Sequence, residues 1–157
     1  MQNRSSLYYT LIVSIGGFLF GFDASVISGA IVYLDTLFEL SSLSKGWVVS
    51  APAFSAMFAM LGGGVLSDRI GRKKTLQIVA VCYVLSAFLS TVSQDIGSLV
   101  AARMLGGMAF GGALIIVPVY ISEISPAEQR GRLVSIQQIN IVVGFLAAYF
   151  SNYFIGV

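Results

Sequence analysis

This chain predicts an all-α membrane bundle, and three observations carry that reading. Its 157 residues are 57% hydrophobic with a mean hydropathy of +0.89. Only 10% are charged, against about a quarter in a soluble domain. The few charges are also spaced so that five long stretches carry none, and a helix needs roughly 20 apolar residues to cross a bilayer.

The uncharged stretches are 5–22, 46–67, 75–94, 104–122 and 133–157. They place helices near 7–34, 46–66, 75–93, 98–121 and 132–155, the first and fourth carrying one charge each, Asp23 and Arg103. Backbone facing lipid must satisfy its hydrogen bonds within its own segment, so each span is a helix. Residues 1–30 can also be read as a cleaved signal peptide, with Arg4 and the "SGA" at 28–30. The apolar run is too long and glycine-rich for that, and further spans follow. The lone Cys82 is a small buried hydrophobe, and without histidine or a cysteine pair the usual zinc, haem and Cys/His catalytic sets are absent. No enzyme, metal or cofactor is expected. A net charge of +2 is too small to point to nucleic acid.

The basic residues set the orientation. A cytoplasmic N-terminus puts Arg4, Arg69, Arg72, Lys73, Lys74, Arg130 and Arg132 inside. Only Lys45 is left outside, with Asp35, Glu39 and Asp95. Small residues recur at helical spacing: Gly17, Gly21, Ala24 and Ser28; Ala56, Ala59 and Gly63; Gly107 and Gly111. Such stripes let helices approach closely in lipid. "GGFLFG" at 16–21 and "GGMAFG" at 106–111 share the pattern GGxxFG. They lie on spans of opposite direction, as in an inverted three-helix repeat.

Asp23 lies sixteen residues from the inner end of its span near Leu7, about 24 Å at the helical rise. Arg103 lies eighteen from the inner end of its span near Ile121, about 27 Å. Opposite charges at a common depth within a membrane pair or share a watery cavity. Burial raises an aspartate's proton affinity and a neighbouring guanidinium lowers it, so the spacing suits a proton switch. It suits a static salt bridge that orders the bundle equally well.

The loop "GVLSDRIGRKK" at 64–74 holds Asp68 among Arg69, Arg72, Lys73 and Lys74, with Gly71 for its turn. It resembles the GxxxDRxGRR/K loop of the major facilitator superfamily. "LGGMAFGGALIIVPVYISEISPAEQRGRLVSIQQ" at 105–138 is similar throughout to the sugar porter family of that superfamily, with Gly107, Gly111, Tyr120, Glu123 and Arg130 at its signature spacing. "FGFDASVISGA" at 20–30 is similar to that family's first helix. The resemblance spans nearly the whole chain and implies a fold of twelve helices in two halves, with substrate bound between them. It implies that Asp23 is the acidic position of proton-coupled symporters and Arg103 its partner. It implies that Phe20 and Gln138 line a sugar site, and that Gly64, Asp68, Arg69, Gly71, Arg72, Glu123 and Arg130 form a cytoplasmic conformational network. Apart from the resemblance, Gln137, Gln138 and Asn140 suit hydrogen bonding between helices.

The expected protein is therefore a multi-pass protein of the inner membrane, carrying sugar with protons down the proton gradient by alternating access. The chain holds five helices of the twelve, so it is expected to be a partial N-terminal half. The sixth helix and C-terminal half would be needed for transport. A facilitative sugar uniporter is the nearest alternative, although Asp23 argues against it. A non-transporting nutrient sensor or partner subunit would keep the same residues. A proton-driven drug exporter would show a Gly-Pro motif in the fifth span, which 133–157 lacks.

Overall fold

A computed structural model describes residues 2–156, with side chains from Ser6 onward; the Arg4 side chain, one of the expected inner charges, lies outside the described set. It contains α1 (Gln2–Phe38), α2 (Ser42–Ile70), α3 (Arg72–Val92), α4 (Ile96–Ile124), a single 3-10 turn (Ala127–Gln129) and α5 (Arg130–Ile155). All five helices are long and apolar enough to cross a membrane. Most run a few residues past the expected ranges at one or both ends. Charge gaps mark the apolar middle of a span, whereas the helix continues into the interface, where Lys and Arg reach water on long stems.

The breaks between helices are short and specified locally. Ser41 caps α2 by accepting from the Ser44 amide at 3.2 Å. Gly71 alone separates α2 from α3 and adopts φ of +90°, a conformation that side chains with a Cβ rarely take. Asp95 caps α4 in a reciprocal box with Ser98. Hydrogen bonding by the Ser98 backbone and side chain holds the Asp95 carboxyl below its ordinary value. A depressed folded value means that the cap's contribution is complete above the unfolded value, about 3.9. The contribution is lost as pH falls through the folded one. Amide protection in the first turn of α4, measured against the exchange rate of an unstructured peptide at the same pH, should therefore drop on strong acidification, and Asp95→Ala should remove that acid dependence; an unchanged profile would contradict the cap.

α1 and α5 run parallel, as do α2 and α4, while α1 and α4 are antiparallel. Close approach follows glycine. A Cβ on Gly17 or Gly21 would strike the Gln137 or Ile141 carbonyl of α5. On Gly107 or Gly111 it would strike the Pro52 or Ala56 carbonyl of α2. The two GGxxFG copies thus do the same work on partners spaced alike, four residues apart. The third matched residues, Phe20 and Phe110, stack on each other with centroids 4.5 Å apart. The stripe on α1 then continues through buried Ser25 and Gly29, with Asn152 against Gly29, and leaves Ala24 and Ser28 exposed. Four-residue steps keep to one side of the helix, and the expected Ala24 lay one position off it.

α4 is the central helix. Ala113, Val117 and Ile121 form a buried cluster with Leu133 of α5, covered by Val13, Leu76 and Val79. α3 docks on α4 through Ser86, whose hydroxyl donates to the Ala102 carbonyl at 2.8 Å. Large apolar side chains such as Val84, Phe88 and Phe154 face outward, as lipid-facing residues do.

Candidate functional site

Because α1 and α4 are antiparallel, the register set by the Phe20–Phe110 stack brings Asp23 opposite Arg103. The Arg103 Nη2 lies 3.5 Å from the Asp23 Oδ2. The environments of the two differ: the Arg103 side chain is 8% exposed and that of Asp23 43%. Arg103 has a second partner, since its Nε donates to the Val48 carbonyl of α2 at 3.1 Å. An arginine stays charged in any setting a protein offers, so this buried cation is held by one full charge and one carbonyl dipole.

Both residues open onto a cleft of about 670 Å³ between α1, α2 and α4. Phe20, Val49, Met57 and Phe110 are among its apolar walls, and Asp23 and Arg103 are its only charged residues among those described. Phe20 also meets Phe145 edge-on at 6.3 Å. An aromatic wall beside an acid–base pair can hold a polar molecule with an apolar face while the carboxylate exchanges a proton.

Gln138 does not line this cleft with Phe20. It sits exposed on α5, seven residues before Phe145 and so on the same face about 10 Å further in. Its neighbours take the interhelical role instead. Gln137 is buried against Gly17, and the Asn140 Nδ2 donates to the Ser14 Oγ at 2.6 Å. Gln138 is left with a free approach for something outside the α1–α5 contact.

At the inner end one guanidinium gathers three partners. Arg72 forms an ion pair with Asp68, donates to the Ser67 Oγ at 3.0 Å and reaches Glu123 Oε1 through Nε at 3.2 Å. Arg69 and Arg130, expected in the same network, are exposed and form no ion pair among the described residues. Arg69 follows Asp68 directly and so points about 100° round the helix from it; Arg130 begins α5 beyond the 3-10 turn. Gly64 has open space where a Cβ would stand, so nothing packed here requires a glycine at that position. At the outer end Lys45 pairs with Asp35 at 2.8 Å.

Three features escaped the sequence reading. The Val48 carbonyl is one, although a signal was present: Pro52 stands four residues later inside α2 and has no N–H to give it. The others are the buried hydroxyls of Thr10 and Tyr83, which have no hydrogen-bond partner among the described residues. Tyr83 lines a second cleft of about 470 Å³ between α1, α3 and α4 and lies within electrostatic reach of Asp23.

Residues 9–156 match the family model described as "Sugar (and other) transporter". The chain is 41% identical over 158 residues to the glucose transport protein of Synechocystis, covering 98% of this chain and 34% of that protein. It is 37% identical over 155 residues to the galactose-proton symporter of Escherichia coli K12, covering 96% and 33%. The proton:xylose symporter XylE of E. coli, solved with 6-bromo-6-deoxy-D-glucose, superimposes with a TM-score of 0.86 at 33% identity over 98% of this chain and 38% of that one. The chain thus spans about a third of the length of the curated relatives it matches.

Proposed function

The chain belongs to the sugar (and other) transporter family, within the sugar porters of the major facilitator superfamily, and on that premise we propose that it serves proton-coupled sugar uptake across the inner membrane. The family is one of carriers, not enzymes, and the five apolar helices make this a multi-pass membrane protein. The proposal rests above all on one observation, the Asp23–Arg103 pair at the mouth of an aromatic-walled cleft. The relatives include a galactose-proton symporter and a proton:xylose symporter, and that favours coupling over simple facilitation.

In the proposed cycle a proton from outside neutralises Asp23 and weakens its hold on Arg103. Sugar then binds against Phe20 and Gln138, whose amide both donates and accepts and so suits a vicinal diol. A second half, supplied by the rest of the carrier, rocks against this one. Arg72, with Asp68 and Glu123, latches the inner ends of α2, α3 and α4 while the carrier faces outward, and releases them as it turns. The proton gradient is the driving force.

In the intact carrier, Gln138→Ala should raise the sugar KM about tenfold, the worth of one or two hydrogen bonds to a hydroxyl pair. The pH dependence of uptake should stay as it was. A changed pH profile with an unaltered KM would assign Gln138 to the bundle rather than to the sugar.

A further inference from the structure

Protonation of Asp23 leaves Arg103 needing a partner, because a buried charge without one is costly. In this chain α2 already provides it. Within an α-helix the carbonyl of residue i accepts from the amide of residue i+4. Val48 is denied that bond because residue 52 is proline. The Arg103 Nε takes the vacated carbonyl at 3.1 Å. Here α2 and α4 are also locked together: a Cβ on Gly107 would strike Pro52 itself, and the single Ser55 hydroxyl proton reaches the Met104 carbonyl of α4 at 2.7 Å, with the Pro52 carbonyl as its alternative acceptor at 3.0 Å. Arg103 is buried within that lock, whereas Asp23 is nearly half exposed on the other side of the cleft.

We propose that Pro52 is a positioning residue: by freeing the Val48 carbonyl it seats Arg103 permanently on the α2–α4 unit, so that the ion pair opens by movement of Asp23 and α1. The inference rests on the proton-coupling reading above and adds which partner moves and why. The seat also explains the length of the pair. Charge-assisted N–H···O bonds close to about 2.7–2.9 Å when unconstrained, but Nη2 stands 3.5 Å from Asp23 with Nε committed elsewhere.

Few other titratable groups stand near the pair. α3 contributes Tyr83, within electrostatic reach of Asp23, while Cys82 beside it lines neither of the two clefts described. The α2 wall of the cleft is Val49, Pro52, Ala53, Ala56, Met57, Met60 and Leu61, none of them titratable. The face that α5 turns toward α1 is Leu133, Gln137, Ile141, Gly144, Ala148 and Asn152, again without a titratable group. On α1 itself the next charge outward is Asp35, paired with Lys45.

The test is an infrared pH titration of the purified, membrane-reconstituted protein, following the Asp23 carboxyl stretch assigned by its loss in Asp23→Asn. Pro52→Ala restores an N–H to the helix and keeps the Cβ, so nothing is pushed into Gly107. The regained bond draws the Val48 carbonyl away from Arg103, which then closes on Asp23. The titration midpoint should fall by roughly half to one pH unit, the size of one hydrogen bond. Pro118→Ala, which relieves the other proline within a helix, at the far end of α4, should leave the midpoint in place. An unmoved or raised midpoint in Pro52→Ala, or an equal fall in Pro118→Ala, would overturn the assignment. The absence of any titrating band lost in Asp23→Asn would instead overturn the coupling reading on which it stands.

Discussion

Asp23→Asn in the intact carrier should abolish accumulation of sugar against its gradient while sparing exchange and downhill entry. The asparagine amide keeps the size of the carboxylate and can still accept from Arg103, so the cleft between α1, α2 and α4 keeps its shape. It cannot gain or lose a proton. Arg103 is the more deeply buried partner and keeps the Val48 carbonyl, so the variant still folds. Uphill transport needs the proton's free energy to be linked to the sugar's, and a ligand shifts a conformational equilibrium only by its differential affinity for the two states. A proton that binds nowhere shifts nothing. The expected accumulation ratio is therefore one. Concentrative uptake retained in Asp23→Asn would assign coupling to another group or to none.

The second large effect concerns stability. Gly21→Ala should cost about 3 kcal/mol, the upper range for forcing an extra group into packed surroundings. The new Cβ would land against the Ile141 carbonyl, which is backbone and cannot swing aside. α1 and α5 would have to separate along the whole line from Gly17 to Gly29. Gly62→Ala is the control, since a Cβ there meets nothing and alanine is the better helix former by up to about 1 kcal/mol. A denaturing-detergent titration of the two variants should show Gly21→Ala unfolding well before the parent and Gly62→Ala no earlier than it. Equal stability of the two would mean that the close crossing of α1 and α5 is not what holds the bundle.

Much of this was legible in the sequence for simple reasons. Apolar length is set by membrane thickness, so the five spans could be read from the gaps between charges. Depth follows from a fixed rise per residue, so Asp23 and Arg103 could be matched by counting. The GGxxFG echo carried more than its letters suggested, because Gly17 and Gly21 meet α5 as Gly107 and Gly111 meet α2. Less visible were partners that depend on which side of a helix a residue takes. Gln137 and Gln138 differ by one position, yet one is buried against Gly17 and the other exposed. Arg69 and Arg72 both sit beside Asp68 in the text, and only the one four residues on pairs with it. The Val48 carbonyl is backbone and has no letter of its own. Only the proline at 52 marks it, and only when the helix containing both is already assumed.

We propose that one carboxylate, facing a seated arginine inside the bundle, is where the proton travels with the sugar. The most direct test is a pH electrode in a lightly buffered suspension of de-energised cells or vesicles carrying the intact carrier. Adding sugar should turn the medium alkaline as protons enter with it, and in Asp23→Asn sugar should still enter with no alkaline shift. Alkalinisation that survives in the variant, or never occurs in the parent, would contradict the account.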